Sequence, residues 1–118
     1  MPTALTPELT EEIQKRYYYL VNYETDDPNH PIDPMTYCDS NGDYLLHVAA
    51  RRGDLRTVEL LIGAGLDVNL IGDMGSTALH YAKSGGHTDV VDYLIRKGAS
   101  TAIRDEFGHL PGEGQSRT

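Results

Sequence analysis

The sequence predicts an all-α protein in which short helix–turn–helix units stack into a solenoid. The chain repeats itself at an offset of 33 residues, and the apolar residues within each copy recur at spacings of three and four. A third copy begins at Asp105 and breaks off after a few residues. The two full copies are aligned by these matching pairs: Gly42 with Gly75, Leu46-His47 with Leu79-His80, Gly53 with Gly86, Val58 with Val91, and Gly65 with Gly98.

The composition is that of one small folded domain. The chain has 118 residues, of which 39% are hydrophobic and 24% charged, so a two-domain enzyme is excluded. No run of 18 apolar residues is present, and the N-terminus lacks the basic and apolar segments of a signal peptide, so we expect no membrane segment. The single cysteine, Cys38, cannot form an internal disulfide, which predicts a cytoplasmic location.

The charge is acidic and uneven along the chain. A net charge of -8 argues against binding to nucleic acid. Residues 1–50 hold nine acidic and two basic side chains, whereas residues 51–118 hold nine and eight. A solvated acidic face accounts for this asymmetry, and so does attraction of a basic partner toward the N-terminal part.

The first element is a helix ahead of the repeats. Thr6 supplies a hydroxyl N-cap, Pro7 suits the first helical position, and Glu8 suits the positive end of the helix dipole. The pattern predicts a helix from about residue 7 to residue 23, lying across the exposed inner side of the first repeat. Its apolar face is predicted to hold Leu9, Ile13, Tyr17 and Leu20, with Val21 as a further candidate.

Four tyrosines lie near the end of this predicted helix, and they have two interpretations. In one, Tyr17 joins the core and the others are half exposed; in the other, Tyr18, Tyr19 and Tyr23 form an aromatic binding patch. Residues 24–38 hold three prolines and four acidic residues, so they cannot continue a helix. We expect an ordered connection there, because Ile32, Met35 and Tyr37 can pack.

Each 33-residue unit has the same predicted elements. A turn at Asn41-Gly42 or Met74-Gly75 precedes a first helix that contains small alanines, and a glycine then reverses the chain into a second helix. Gly65 and Gly98 follow the second helices, where a left-handed residue is needed. The second helices carry the apolar stripes Val58, Leu61 and Ile62, and Val91, Leu94 and Ile95.

These copies resemble the ankyrin repeat, whose turn opens with Asp and Gly and whose first helix carries a Thr-Pro-Leu-His motif. The copies read DSNGDYLLHVAARRGDLRTVELLIGAGLDVN and GDMGSTALHYAKSGGHTDVVDYLIRKGASTA, with Tyr44-Leu45 and Thr77-Ala78 in place of Thr-Pro. The predicted organisation is a capping helix and Pro/Asp-rich connection at residues 1–38, repeats at 39–71 and 72–104, and a truncated third repeat with a polar tail at 105–118.

The resemblance implies a non-catalytic module that binds another protein through its turn tips and the concave side of its first helices. It also implies that His47 and His80 form hydrogen bonds between units. An exposed Met74 beside Phe107 is the expected apolar anchor. The predicted partner-binding positions are Ser40, Asn41, Asp43, Asp73, Met74, Ser76, Glu106, Phe107 and His109 at the tips, and Arg51, Arg52, Tyr81 and Ser84 on the helices.

Other kinds of chemistry receive little support from the sequence. Asp39, Asn41 and Asp43 resemble the start of a calcium loop, but Tyr44 replaces the required glycine and Ala50 the required acid. We therefore expect no catalytic centre, no metal and no cofactor. The alternative function is a dedicated inhibitor or immunity-type protein that neutralises a basic toxin or enzyme. The third repeat has too few apolar residues to cover the second, which predicts self-association on that side.

Overall fold

A computed structural model describes residues 4–23, 25–27 and 29–113 of the chain. The part so described contains five α-helices and no strand longer than a single bridge between Cys38 and Tyr44. No helix within it is long and apolar enough to cross a bilayer. Residues 114–118, most of the predicted polar tail, lie outside the described residues. The helices are α1 (Pro7–Arg16), α2 (Leu45–Arg52), α3 (Leu55–Gly63), α4 (Ala78–Ser84) and α5 (Thr88–Arg96).

Helix α1 begins as predicted and ends earlier than predicted. The Thr6 hydroxyl accepts a hydrogen bond from the Leu9 backbone N–H at 3.1 Å, with Pro7 in the first turn. The predicted end near residue 23 is wrong, because the helix stops at Arg16 and Tyr17 leaves helical geometry at φ -114° and ψ 35°. The Tyr17 side chain is fully buried, and its hydroxyl donates to the carboxylate of Asp54 at 2.7 Å. This distant contact coincides with the point where the helix ends.

The other four helices form two pairs, α2 with α3 in the first unit and α4 with α5 in the second. The helices of each pair contact one another, and the two pairs stack because α2 packs on α4 and α3 packs on α5. The alanines Ala49, Ala50, Ala78 and Ala82 are fully buried, because small side chains allow α2 and α4 to approach closely. The two units therefore share one continuous core, as the all-α solenoid prediction requires.

The connection between α1 and α2 is packed against this core. Ile32 and Tyr37 are 2% and 6% exposed, and Met35 packs beside them half-buried. Burial raises the pKa of the Tyr37 hydroxyl to about 12, with a smaller contribution from Asp39. Glu24 and Pro28 lie outside the described residues. The prediction of an ordered connection is confirmed for the three apolar residues on which it depended.

The chain turns back after each second helix at a left-handed glycine. Gly65 and Gly98 have φ values of +110° and +95°, as predicted for positions that end a helix. A residue with a Cβ atom would meet steric strain at these angles. The chain therefore leaves the second helix of each unit through a glycine with positive φ.

Candidate protein-interaction surface

The first turn tip is held in shape by Asp39. Its Oδ1 atom accepts hydrogen bonds from the backbone N–H groups of Asn41 at 2.9 Å and Asp43 at 3.0 Å. Ser40 and Asn41 are exposed at the end of this turn. The Asp39 carboxylate thus serves the turn itself, in agreement with the preference for a turn over a calcium loop.

The third turn repeats this construction, and the second modifies it. Asp105 Oδ1 accepts from the backbone N–H groups of Phe107 and His109, both at 2.9 Å. Gly72 replaces the aspartate in the second turn. A Cβ atom on Gly72 would lie 2.5 Å from Asp43 Oδ1 and 2.8 Å from the His47 ring. Glycine is therefore required there because side chains of the first unit occupy the space.

Met74 and Phe107 are exposed on adjoining turns. Their exposed fractions are 50% and 67%, and the Glu106 N–H donates to the Met74 carbonyl at 2.9 Å, so the two turns are joined by backbone. The Phe107 ring stacks on His109 with ring centroids 6.4 Å apart. Glu106 is exposed, whereas Asp73, Ser76 and His109 are half-buried. These turns present two apolar side chains to solvent.

Met74 adopts a left-handed backbone conformation, with φ 58° and ψ 24°. It is the one non-glycine residue with positive φ in the part of the chain that the structure describes. Asparagine tolerates this region better than methionine. Met74→Asn is therefore expected to raise the free energy of unfolding by about 1 kcal/mol in urea titrations. Phe107→Asn, at the equivalent position without positive φ, is the control and should bring no such gain.

Asp43 is buried, with an exposed fraction of 2%. Its carboxylate accepts from the Tyr81 hydroxyl at 2.9 and 3.0 Å and from the Asp73 backbone N–H at 2.9 Å. The Arg51 guanidinium lies 3.4 Å from Asp43 Oδ2. The prediction that Asp43 itself touches a partner does not fit this burial, because its oxygens are used within the protein. It instead links the first turn to the second and holds Tyr81 and Arg51.

The exposed Arg51 and the half-buried Tyr81 form one cluster on α2 and α4. The Arg51 guanidinium lies over the Tyr81 ring, 5.3 Å from its centroid, and its side chain is 51% exposed. Ser84, one turn further along α4, is also exposed. Burial and the hydrogen bond to Asp43 both raise the pKa of the Tyr81 hydroxyl, so it stays a donor across the physiological range. The predicted positions Arg51 and Tyr81 are brought together.

Arg52 contacts the N-terminal segment, whereas Arg51 contacts Tyr81 of the second unit. Its guanidinium stacks on Tyr17 at 4.9 Å and on Tyr19 at 5.7 Å, and it donates to the Tyr19 hydroxyl at 2.7 Å. Successive residues on a helix point about 100° apart, so neighbouring arginines need not share a face. Arg52 is exposed while its guanidinium contacts the N-terminal segment, and its role in partner binding stays a prediction.

The two motif histidines connect successive units, as the resemblance implies. His47 Nδ1 accepts from the Tyr44 backbone N–H at 2.9 Å, so the proton lies on Nε2, which donates to the Leu70 carbonyl at 2.8 Å. His80 has the same arrangement with Thr77 and donates to the His109 carbonyl at 3.0 Å. Both rings are buried, and each holds the loop that follows its unit.

Stability is expected to fall between pH 7.5 and pH 5.5. Burial lowers the pKa of the His47 imidazole, with the nearby Asp43 carboxylate opposing this. In the unfolded chain His47 binds a proton near the ordinary pKa of about 6.5, whereas folded His47 stays neutral to lower pH. The contribution of neutral His47 to stability is therefore complete above the unfolded pKa and is lost as the pH falls below it. Urea midpoints measured across this range check the slope. A slope in His47→Gln equal to that of wild type would contradict the assignment.

The stacked helix pairs with projecting turns define a repeat protein of the solenoid class. The family model described as ankyrin repeats, in three copies, matches residues 15–105. The match covers more than half of the chain, so the chain belongs to the ankyrin-repeat family. Ankyrin repeats generally mediate protein–protein interactions and are typically non-catalytic.

Several curated proteins are similar to this chain. Ankyrin repeat domain-containing protein 40 of Homo sapiens is 40% identical over 73 residues, which are 61% of this chain and 20% of that protein. Notch-regulated ankyrin repeat-containing protein A of Danio rerio is 41% identical over 70 residues, 53% of this chain and 62% of that protein. Protein phosphatase 1 regulatory subunit 27 of Homo sapiens is 38% identical over 68 residues, 58% of this chain and 44% of that protein. The chain spans between 20% and 62% of the length of these relatives.

Proposed function

We propose that this chain is a non-catalytic binding module whose turn tips and α2–α4 face contact one partner protein. The carrying observation is that Met74 and Phe107 are both at least half exposed on turns joined by the Glu106–Met74 backbone hydrogen bond. Large apolar side chains that become buried on binding dominate interface energies. The proposed contact set is Ser40, Asn41, Asp73, Met74, Ser76, Glu106, Phe107 and His109, with Arg51, Tyr81 and Ser84.

The left-handed backbone of Met74 supports this proposal. Strained residues persist where the surrounding structure fixes them, and they are concentrated at binding sites. The cluster of Arg51 and Tyr81 adds a cation and part of an aromatic ring beside the tips, and Asp43 holds both side chains in place. A pre-positioned arginine loses less side-chain entropy when it binds a carboxylate.

The double substitution Met74→Ala/Phe107→Ala is expected to weaken partner binding by more than about 1 kcal/mol, a factor of about five, because it removes the proposed anchors. The free energy of unfolding should stay nearly unchanged, because both side chains are exposed. Partners are first captured from lysate of the source organism with wild-type bait and identified by mass spectrometry. Affinities are then measured with purified partner by calorimetry.

The matched control is Val21→Ala/Tyr23→Ala, which removes two side chains that are 42% and 59% exposed away from the tips. This control should bind the partner as wild type does. Equal losses in the two double variants would contradict a site at the tips, and an unaltered affinity of the tip variant would remove Met74 and Phe107 from it.

Two further parts of the proposal concern the partner and the cell. The alternative role, an inhibitor of a basic toxin or enzyme, is supported by the nine acidic and two basic residues in positions 1–50. Rescue of cells that express such a partner would favour it over an adaptor role. The single Cys38 supports a cytoplasmic location. The chain is proposed to consist of a capping segment at residues 1–38, repeats at 39–71 and 72–104, and a truncated third repeat at 105–118.

Self-association through the far side of the second unit is also proposed. Val58 is fully buried and its equivalent Val91 is only half-buried, while Ile95 is 44% exposed. The second unit thus exposes positions whose equivalents in the first unit are covered. Sedimentation velocity of wild type beside Ile95→Lys is the test: a dimer lost in the variant supports the contact, and a monomer at all concentrations overturns it.

A further inference from the structure

Two adjoining depressions lie along the N-terminal segment, far in sequence from the turn tips of the second and third units. They have volumes of about 310 and 480 Å³ and share Gln14, His30, Pro31 and Ile32. We call this pair the cap groove. Its remaining lining residues are Glu11, Lys15, Tyr17, Tyr18, Leu20 and Asn29 on one side, and Thr10, Asn22, Thr25 and Asp33 on the other.

The segments that line the cap groove are joined to one another by hydrogen bonds. The Gln14 side-chain amide donates to the Ile32 carbonyl at 2.8 Å, and the Asn22 amide donates to the Pro31 carbonyl at 2.8 Å. Ile32 is 2% exposed, so the floor is part of the core. A groove whose walls are already ordered costs a ligand less entropy than a flexible surface does.

The chemistry of the groove is aromatic and acidic. Tyr18 is 82% exposed, which makes it the most exposed of the large apolar side chains in the described part of the chain. Glu11 lines one depression and Asp33 the other, so each depression contains one carboxylate. Lys15 forms an exposed ion pair with Glu11 at 3.5 Å. Such surface pairs contribute little, so a better-placed cation can displace Lys15.

Tyrosine rings on this protein already hold guanidinium groups. Arg52 lies 4.9 Å from the Tyr17 ring centroid and 5.7 Å from that of Tyr19, and Arg51 lies 5.3 Å from that of Tyr81. Tyr18 contacts Tyr19 in an edge arrangement with centroids 5.8 Å apart and is otherwise largely open to solvent. It therefore offers a ring face of the kind that arginine occupies elsewhere in the chain.

We propose that the cap groove binds an extended, arginine-containing segment of a partner protein. An arginine side chain stacks its stem and guanidinium on Tyr18 and pairs with Glu11 in place of Lys15. The surplus of acidic residues in positions 1–50 attracts such a segment and extends this selectivity. Arginine is favoured over lysine because its planar group stacks on a ring and pairs with a carboxylate at once.

The test uses a fluorescein-labelled peptide of five Arg-Gly dipeptides and its Lys-Gly counterpart, titrated with the full chain and followed by anisotropy. The arginine peptide is expected to bind at least about threefold tighter than the lysine peptide. Tyr18→Leu and Glu11→Gln should each weaken binding of the arginine peptide about threefold or more, and Lys15→Gln should strengthen it.

Two matched variants control for general effects of charge and aromatic loss. Tyr23→Leu removes an exposed tyrosine and Glu8→Gln an exposed acid of α1, and neither residue lines the groove. Both variants should bind the arginine peptide as wild type does. Equal affinity for the two peptides, equal losses in the control variants, or no saturable binding would each overturn the proposal. Met74→Ala/Phe107→Ala should bind the peptide normally, so failure here is distinct from failure of the turn-tip site.

Discussion

Asp54→Asn is expected to lower the free energy of unfolding by about 3 kcal/mol, because one carboxylate joins the N-terminal segment to the first unit. Asp54 caps α3, and its side chain is 11% exposed. It accepts from the Tyr17 hydroxyl at 2.7 Å, the Thr57 hydroxyl at 2.6 Å and the Arg16 guanidinium at 2.6 Å. An amide at this position sets a donor against these donors and removes the closer of the two carboxylates that pair with Arg16, leaving Glu12 at 3.6 Å. Urea unfolding at pH 7 checks the value.

The matched variant for this prediction is Tyr17→Phe, which keeps the buried ring and removes one hydrogen bond. It should cost about 1 kcal/mol, less than Asp54→Asn. Adding it to Asp54→Asn should cost less than it does alone, because the hydroxyl has then already lost its acceptor. Full additivity of the two substitutions would contradict a shared hydrogen-bond network.

The stability contributed by the Asp54 carboxylate is expected to fall at low pH. Burial alone would raise the pKa of its carboxyl group, but hydrogen bonds from Thr57 and Tyr17 outweigh this and hold the pKa below its ordinary value. The carboxylate therefore contributes stability that is complete above the unfolded pKa of about 3.9 and is lost as the pH falls below it. The difference between wild type and Asp54→Asn should shrink correspondingly in acid.

The parts of the fold that depend on local pattern could be predicted from the sequence. The 33-residue offset located the two helix pairs and the left-handed Gly65 and Gly98, and the resemblance to the ankyrin repeat implied the hydrogen bonds that His47 and His80 make between units. Each of these features recurs because each unit meets the same neighbours. Because equivalent positions have equivalent surroundings, the same residue type recurs at them, and alignment of the two copies reveals these positions.

Contacts between distant, non-repeated residues could not be predicted in this way. The end of α1 coincides with the hydroxyl of Tyr17 meeting Asp54, 37 positions away. Asp43 lies beside exposed turn residues in the sequence, yet Tyr81 from the next unit covers it. Arg52 follows Arg51 directly and still turns toward Tyr19. In each case the deciding partner has no counterpart at the 33-residue offset that would reveal it.

Gly53 and Gly86 occupy equivalent positions of the two units. Comparing them measures how much packing by the next unit adds to the cost of replacing this glycine. Gly53 has φ +74°, and a Cβ atom there would lie 2.5 Å from His87 Nδ1. His87 is held against Gly53 because its Nε2 donates to the Arg51 carbonyl at 2.9 Å. Gly53→Ala is therefore expected to cost about 3 kcal/mol, from left-handed strain and from displacement of the histidine. Urea unfolding at pH 7.5 measures this cost.

Gly86 is the matched control, because its φ of +72° is almost the same and a Cβ atom there would meet nothing within 4 Å. Gly86→Ala should cost only the strain, about 1 kcal/mol. If His87 is the cause of the difference, Gly53→Ala made in a His87→Ala background should also fall to about 1 kcal/mol. Equal costs at the two glycines would mean that backbone strain alone fixes these residues and that the packing of His87 adds nothing. Unequal costs would mean that the same residue, in the same conformation, is required more strictly wherever another unit follows it.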